Sequence, residues 1–218
     1  MARPLLPGQQ SWVLHDWNDA LTRLALEGDP PTGRDGHPVS LRSSTGSLAD
    51  IGADDLAGAG LVTASALLDV LTFDEVSAIV RACVEVGTPA LFGLSVTGRI
   101  ELDPPDARDR VIEAAFNAHQ QRSEQGRGLL GPTGASVARN LFETAGWQVA
   151  SADTFWRLGP REPELLDEWF TGWVGAAVEQ DPALRADRAS YVARRELQAS
   201  RGELFAVVHH LDVLASPR

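Results

Sequence analysis

The densest run of groups able to handle a substrate is FNAHQQR, residues 116–122. Asn117, His119, Gln120 and Arg122 place several donors and acceptors within two turns of a helix. A neutral imidazole takes up a proton near pH 7, so His119 is the candidate general base. The plainer reading is a structural histidine on a partly apolar helix face. Arg122 and Arg127 could flank an anionic group, or be ordinary surface charge. Trp156 sits beside Arg157 in FWRLG and is a candidate substrate contact. Trp169 and Trp173 are four apart, hence on one helix face. They could wall a pocket, although packing the helix onto a sheet explains them as well. His209 and His210 are adjacent in a strand-like run, so their rings point to opposite faces and cannot share a metal. No other cluster has metal-ligand spacing, and no metal is expected. Ser95, in GLSVTG, lacks the G-x-S-x-G surround of a nucleophile elbow.

Composition narrows the chemistry further. The 218 residues carry a formal charge of −11, which argues against nucleic acid as the main partner. Lysine is absent and all 19 basic residues are arginine, a bias that a GC-rich bacterial genome explains. Schiff-base chemistry and a Walker-type phosphate loop both need a lysine. The single cysteine, Cys83, excludes an intrachain disulfide and any cysteine-cluster site. It falls in an amphipathic helical pattern and reads as a small buried hydrophobe. No apolar run reaches the length of a membrane span. The N-terminal MARPLLPGQQ does not read as a signal peptide, so a cytoplasmic location is expected.

These groups need elements to hold them. Residues 12–15 read as a strand and 18–26 as a helix. Residues 28–38 are a turn-rich loop, and 39–41 a short strand. GLVTA, 60–64, is a buried-type strand. Thr72 followed by Glu75 marks a capped helix that runs to about residue 85 and ends before Gly87. Residues 89–96 form an unbroken apolar strand of the kind buried on both faces. Helices follow over 106–121, 134–145, 162–179 and 182–200. Residues 126–131 read as a loop, and strands fall at 147–150 and 203–214. This alternation implies an α/β domain with a mainly parallel sheet, a C-terminal antiparallel strand and helices on both faces.

Three segments, in this order, carry a family resemblance: SWVLHDWN (11–18), GLVTASALLDVLT (60–72) and PALFGLSVTGRIEL (89–102). LLGPTGASVARNLFETAGWQV (129–149) extends it over nearly the whole chain. The sequence resembles class I S-adenosylmethionine-dependent methyltransferases, whose Rossmann-like sheet ends with an antiparallel strand inserted near its edge. The resemblance implies S-adenosylmethionine as cofactor and a small molecule as methyl acceptor. It implies that Asp16 holds the ribose hydroxyls, with Trp17 against the adenine ring. Ser47 stands, beside Leu48, where the family carries an acid that contacts the adenine; Asp50 lies close by. Ser65, Ala66 and Asp69 fall near the methionine part of the cofactor. Asp69 also reads as an acid favoured by a helix start.

The family's first strand and acid-x-Gly-x-Gly turn are not in this sequence. MARPLLPGQQ looks like the tail of the first helix and the loop behind it, so the chain reads as one methyltransferase-like domain, 1–218, that is N-terminally incomplete. Met1 is expected to be an internal methionine. Residues 104–130 read as a helical insertion on the substrate side. Losing a central strand would expose strand edges, which a homodimer could cover. Two alternatives stay open: a non-catalytic methyltransferase fold serving as a binding or partner subunit, and a fragment of another nucleotide-binding α/β protein. The final strand pair and the long helical insertion weigh against the second.

Overall fold

The computed structural model describes residues 6–29, 31–124 and 126–218, which fall into two compact units, Met1–Gly52 and Ala53–Arg218. In the first unit, β1 (Gln10–Asp16) and β2 (Val39–Thr45) pair in parallel from Gln10↔Val39 to Asp16↔Thr45. Parallel strands need a crossover, and α1 (Asp19–Ala25) lies on it. Asn18 caps this helix, its side-chain oxygen accepting from the backbone N–H groups of Ala20 and Leu21. The helix tail and loop read from the first ten residues fall partly on residues 1–5, outside the described residues; residues 6–9 form no helix, and Gln10 opens β1.

The second unit holds α2 (Ala53–Leu56), β3 (Val62–Ser65), α3 (Phe73–Val86), β4 (Ala90–Asp103) and α4 (Asp109–Gln120). A two-stranded ribbon, β5 (Ser123–Glu124) with β6 (Arg127–Gly128), precedes α5 (Gly134–Thr144) and β7 (Gln148–Leu158). Two long helices, α6 (Pro163–Gln180) and α7 (Arg185–Ser200), lead to the last strand, β8 (Phe205–Ser216). The sheet order is β3-β4-β8-β7. β3 and β4 are parallel, and β8 runs antiparallel between β4 and β7. This is an α/β arrangement with parallel pairs first and a final antiparallel strand inserted near the edge.

Three strands are longer than the sequence pattern implies. β2 continues to Thr45, β4 to Asp103 and β7 to Leu158. For β4 and β7 the reason is pairing: β8 offers hydrogen bonds along its whole length, so polar stretches such as SADT join the sheet. The loop read at 126–131 contains β6 and runs into a short 3₁₀ turn, Gly131–Thr133. The capped start of α3 forms as expected. The Thr72 hydroxyl accepts from the Glu75 N–H, and Glu75 accepts from the Thr72 N–H at 2.8 Å. Gly87, at φ +77°, closes the helix.

The β7–β8 register runs without a break from Gln148↔Ser216 to Leu158↔Ala206, so strand alternation assigns every residue of β8 to a face. Val213 and Ala215 are buried on one face, where Phe92 meets Phe142 of α5 at 6.4 Å between ring centroids. Ala206 and Val208 are buried on the other. There they join Leu158, Ile100 and Leu102 in a core with Ile112 of α4, Phe170 and Trp173 of α6 and Tyr191 of α7. Helices thus cover both faces, but over different halves of β8. Opposite the α5 layer, the paired Leu91 and Leu214 remain 36% and 45% exposed.

Two local devices fix the second unit. Gly134 lets the start of α5 approach the turn at Leu68, because a Cβ there would lie 2.5 Å from the Leu68 carbonyl oxygen. Between α4 and α7, Arg195 is 1% exposed. Its Nη2 donates to both oxygens of Asp109 at 2.5 and 2.7 Å, and its Nη1 donates to the Pro104 carbonyl at 2.6 Å. The Tyr191 hydroxyl donates to the same carboxylate at 2.7 Å. Burial, followed by the bond to Asp109, pushes the Tyr191 phenol well above its ordinary range.

Candidate active site

In open α/β sheets, ligands bind beyond the carboxyl ends of the parallel strands. In the second unit this is where backbone strain collects. β3 ends at Ser65, and Ala66 follows at φ +50°, its N–H donated to the Gly93 carbonyl at 3.0 Å. A 3₁₀ turn, Leu68–Val70, then anchors buried Leu68 and leaves Asp69 half-buried. On β4, the register shifts between Phe92 and Ser95, so Gly93 and Leu94 together face Asp212. Leu94 takes φ +52°. A left-handed leucine costs roughly 1–2 kcal/mol. Asp212 offsets that cost by accepting the Leu94 N–H at 2.8 Å and the Thr154 hydroxyl at 3.1 Å. Ala66 and Leu94 are the non-glycine residues with positive φ among the described residues, and both lie at this edge.

His210 is the hub of the cluster. It is 3% exposed, and its Nδ1 has no hydrogen-bond partner. Its ring lies 5.2 Å from that of Trp156, at 49°. Asp212 and Asp69 both act on it electrostatically. Burial holds its imidazole below the ordinary range, against the pull of the Val208 carbonyl and the two carboxylates. Burial therefore favours the neutral ring. Burial also pushes the Asp69 carboxyl up, opposed by its own backbone N–H and by His210. No arginine is among the groups acting on Asp69.

The FNAHQQR residues are committed elsewhere. Asn117 donates to the Gly98 carbonyl at 2.9 Å, inside a second register shift between Val96 and Ile100. Glu113 accepts the Ile100 N–H at 2.8 Å, so α4 braces β4 where the strand bulges. His119 lies 3.3 Å through Nε2 from Glu179, while Arg122 reaches its Nδ1 at 3.1 Å. Both ring nitrogens are thus occupied, and the group ties α4 to α6. Gln120 is held with its side-chain oxygen buried and without a partner. Arg127 donates to both oxygens of Glu75 at 2.8 Å, which joins the ribbon to the start of α3. Trp169 and Trp173 stack at 5.5 Å with Trp173 buried, so they pack the core. Cys83 is fully buried, and its thiol is pushed up to about 11 by desolvation.

In the first unit, Asp16 closes β1 and accepts the Asn18 N–H through Oδ1 at 2.8 Å. Its second oxygen has no partner among the described residues. Trp17 follows, 76% exposed. Ser47 caps the 3₁₀ turn Leu48–Asp50, accepting from the Ala49 N–H at 3.2 Å.

Of the residues expected from sequence, Trp156 lies against His210 with ring centroids 5.2 Å apart, and Asp69 is half-buried in the turn after β3. The hydrogen bonds of Asn117 and His119 join other groups. Sequence reasoning missed His210, Asp212 and Thr154 as site residues. Their signal was available: His210 and Asp212 are two apart, hence on one face of β8. A small apolar cleft of ≈ 120 Å³ between α4, α6 and α7, lined by Ile112, Val174, Val178, Leu184 and Tyr191, holds none of these groups. No metal-ligand group of three is present among the described residues. No helix among them is long and apolar enough to cross a membrane.

No family model and no curated protein matches the chain. Among solved structures, it is similar to a candidate methyltransferase from Bacillus halodurans, at 12% identity and a TM-score of 0.47, over 95% of this chain and 84% of that one. It is similar to the YcgJ protein from Bacillus subtilis at 10% identity and a TM-score of 0.44, over 94% and 82% of the two chains. A phosphoethanolamine N-methyltransferase from Haemonchus contortus, solved with phosphomonomethylethanolamine and S-adenosylhomocysteine, has 12% identity and a TM-score of 0.37. That similarity spans 99% of this chain and half (50%) of the other.

Proposed function

We propose that this protein is an S-adenosylmethionine-dependent methyltransferase acting on a small molecule. The observation that carries the reading is the strand order of the second unit, β3-β4-β8-β7 with β8 antiparallel to both neighbours; the first unit holds a parallel β1–β2 pair that ends on an acid. Asp16 fits the ribose: its free oxygen can accept from a hydroxyl while the other holds the turn. The exposed Trp17 supplies a flat apolar surface next to it. The family resemblance assigns Ser47 and Leu48 to the adenine, and Ser65, Ala66 and Asp69 to the methionine part.

When bound, the cofactor supplies a methyl group on an already activated sulfonium, so the protein needs no nucleophile of its own. What remains for the chain is to hold the acceptor, exclude water and receive a proton. Trp156, Asn117, Gln120, Arg122 and His119 are the acceptor-side residues taken from the sequence. His210 is the better placed proton acceptor, because its Nδ1 is free where both nitrogens of His119 are engaged.

Calorimetric titration of S-adenosylhomocysteine into the chain tests this. Saturable one-site binding that Asp16→Ala weakens about tenfold supports it, since a hydrogen bond to a charged group contributes roughly 1.5–3 kcal/mol. A folded chain that takes up no S-adenosylhomocysteine overturns it.

A further inference from the structure

The apolar cleft between α4, α6 and α7 has a buried floor and a charged lip. Ile112, Val174 and Tyr191, each no more than 5% exposed, form the floor. Val178 and Leu184 are half-buried walls. The Tyr191 hydroxyl is committed to Asp109, so what this residue offers the cleft is its ring. Atoms lining such a space lack neighbours on one side and gain dispersion contacts from an apolar guest. The volume, ≈ 120 Å³, is on the scale of an apolar cavity of about 150 Å³ that takes up benzene.

Three charged side chains line the same cleft: Arg108, Asp187 and Arg188. Arg108 and Asp187 pair with each other at 3.2 Å. Arg188 has no ion pair and no side-chain hydrogen bond among the described residues. One positive charge is therefore in excess at the lip, in a chain whose formal charge is −11. Arg188 is also the fourth residue of α7, near the end where the helix dipole favours an anion. A guanidinium beside apolar walls matches a carboxylate joined to an apolar body, because its planar fork can bind both carboxylate oxygens. An ammonium group would meet like charge there.

We propose that this cleft is a binding site for a small apolar monocarboxylate. Its ring or short chain lies between α4, α6 and α7, and its carboxylate pairs with Arg188. The guest touches the same two helices that the Arg195–Asp109 clamp joins, and so adds a second tie between α4 and α7. None of the lining residues belongs to the strand-end cluster, so this site does not depend on the transferase reading.

The test is calorimetric titration of phenylacetate, 2-phenylethanol and 2-phenylethylamine into the full chain, three probes that share a ring and differ in head group. Phenylacetate should bind saturably and at least about tenfold more tightly than the alcohol, with the amine weakest, because the lip selects charge. Arg188→Gln, at an exposed helix position, should remove the preference for acid over alcohol and leave the circular dichroism spectrum unchanged. Tyr191 is the chain's one tyrosine, so isotope-labelled tyrosine gives NMR signals from a ring that lines this cleft. Those signals should shift as phenylacetate is added and saturate at the calorimetric affinity. Val178→Phe narrows the cleft and should abolish both responses; if that variant fails to fold, the Tyr191 titration on the unaltered chain still locates the ligand. Equal affinity for acid and alcohol, no saturable binding of the acid, an unshifted Tyr191 ring, or Arg188→Gln without effect would overturn the proposal.

Discussion

Asp109 and Asp69 are both withdrawn from water within one unit, yet their surroundings are opposite. Around Asp109, Arg195 supplies a full charge, Tyr191 a hydroxyl, and Pro104 a carbonyl for the arginine's second nitrogen. Around Asp69 there is a neutral imidazole and no arginine. The first arrangement is closed: its charges answer one another and leave little for a ligand to add. The second is open, with donors missing on the protein side. Buried charge in this molecule is thus used in two ways, as a clamp between helices α4 and α7 and as an unmet demand at the strand ends.

The largest expected effect lies in the clamp. Arg195→Ala leaves Asp109 buried without its cation and should lower the unfolding free energy by about 3–5 kcal/mol in urea titrations. A loss below about 1 kcal/mol would mean that the clamp is not closed.

A middle-sized effect is expected from His210. Its folded-state pKa is depressed, so below about pH 6.5 the unfolded chain takes up the proton first and stability falls as pH drops. Comparing urea midpoints at pH 7.5 and 5.5 should show this slope reduced in His210→Gln. An identical slope in the variant would remove the buried neutral ring from the comparison.

The smallest effect sharpens the contrast most. Asp69→Asn deletes a charge with no partner and should change stability by no more than about 0.5 kcal/mol, as for substitutions away from a network. A loss comparable to that of Arg195→Ala would show that Asp69 is structural after all.

The sequence made the order of elements legible because helix periodicity, the Thr72–Glu75 box and apolar runs such as ALFGLSV are local signals. It hid the far halves of β4 and β7, whose polar residues enter the sheet only because β8 arrives from over a hundred residues away to pair with β4. For the site the same divide holds. Asp69 and Trp156 were picked out individually. Trp156 rests on His210, which sits between two bulges of β4 that no local pattern announces. FNAHQQR misled for a related reason: a polar cluster on a helix reads as chemistry until its partners are known. Here Asn117 braces a bulge and His119 links two helices.

The change of buried face along β8 has an evolutionary reading. Residues before His210 answer to the α4–α6–α7 layer, and those after Asp212 to the α5 layer. The two sets share a backbone but few neighbours, so each can drift without the other's consent. Residues 159–204 are then free to vary only where the Arg195–Asp109 clamp and the α6 and α7 core positions are kept, with the His210 junction as the seam between the two sets.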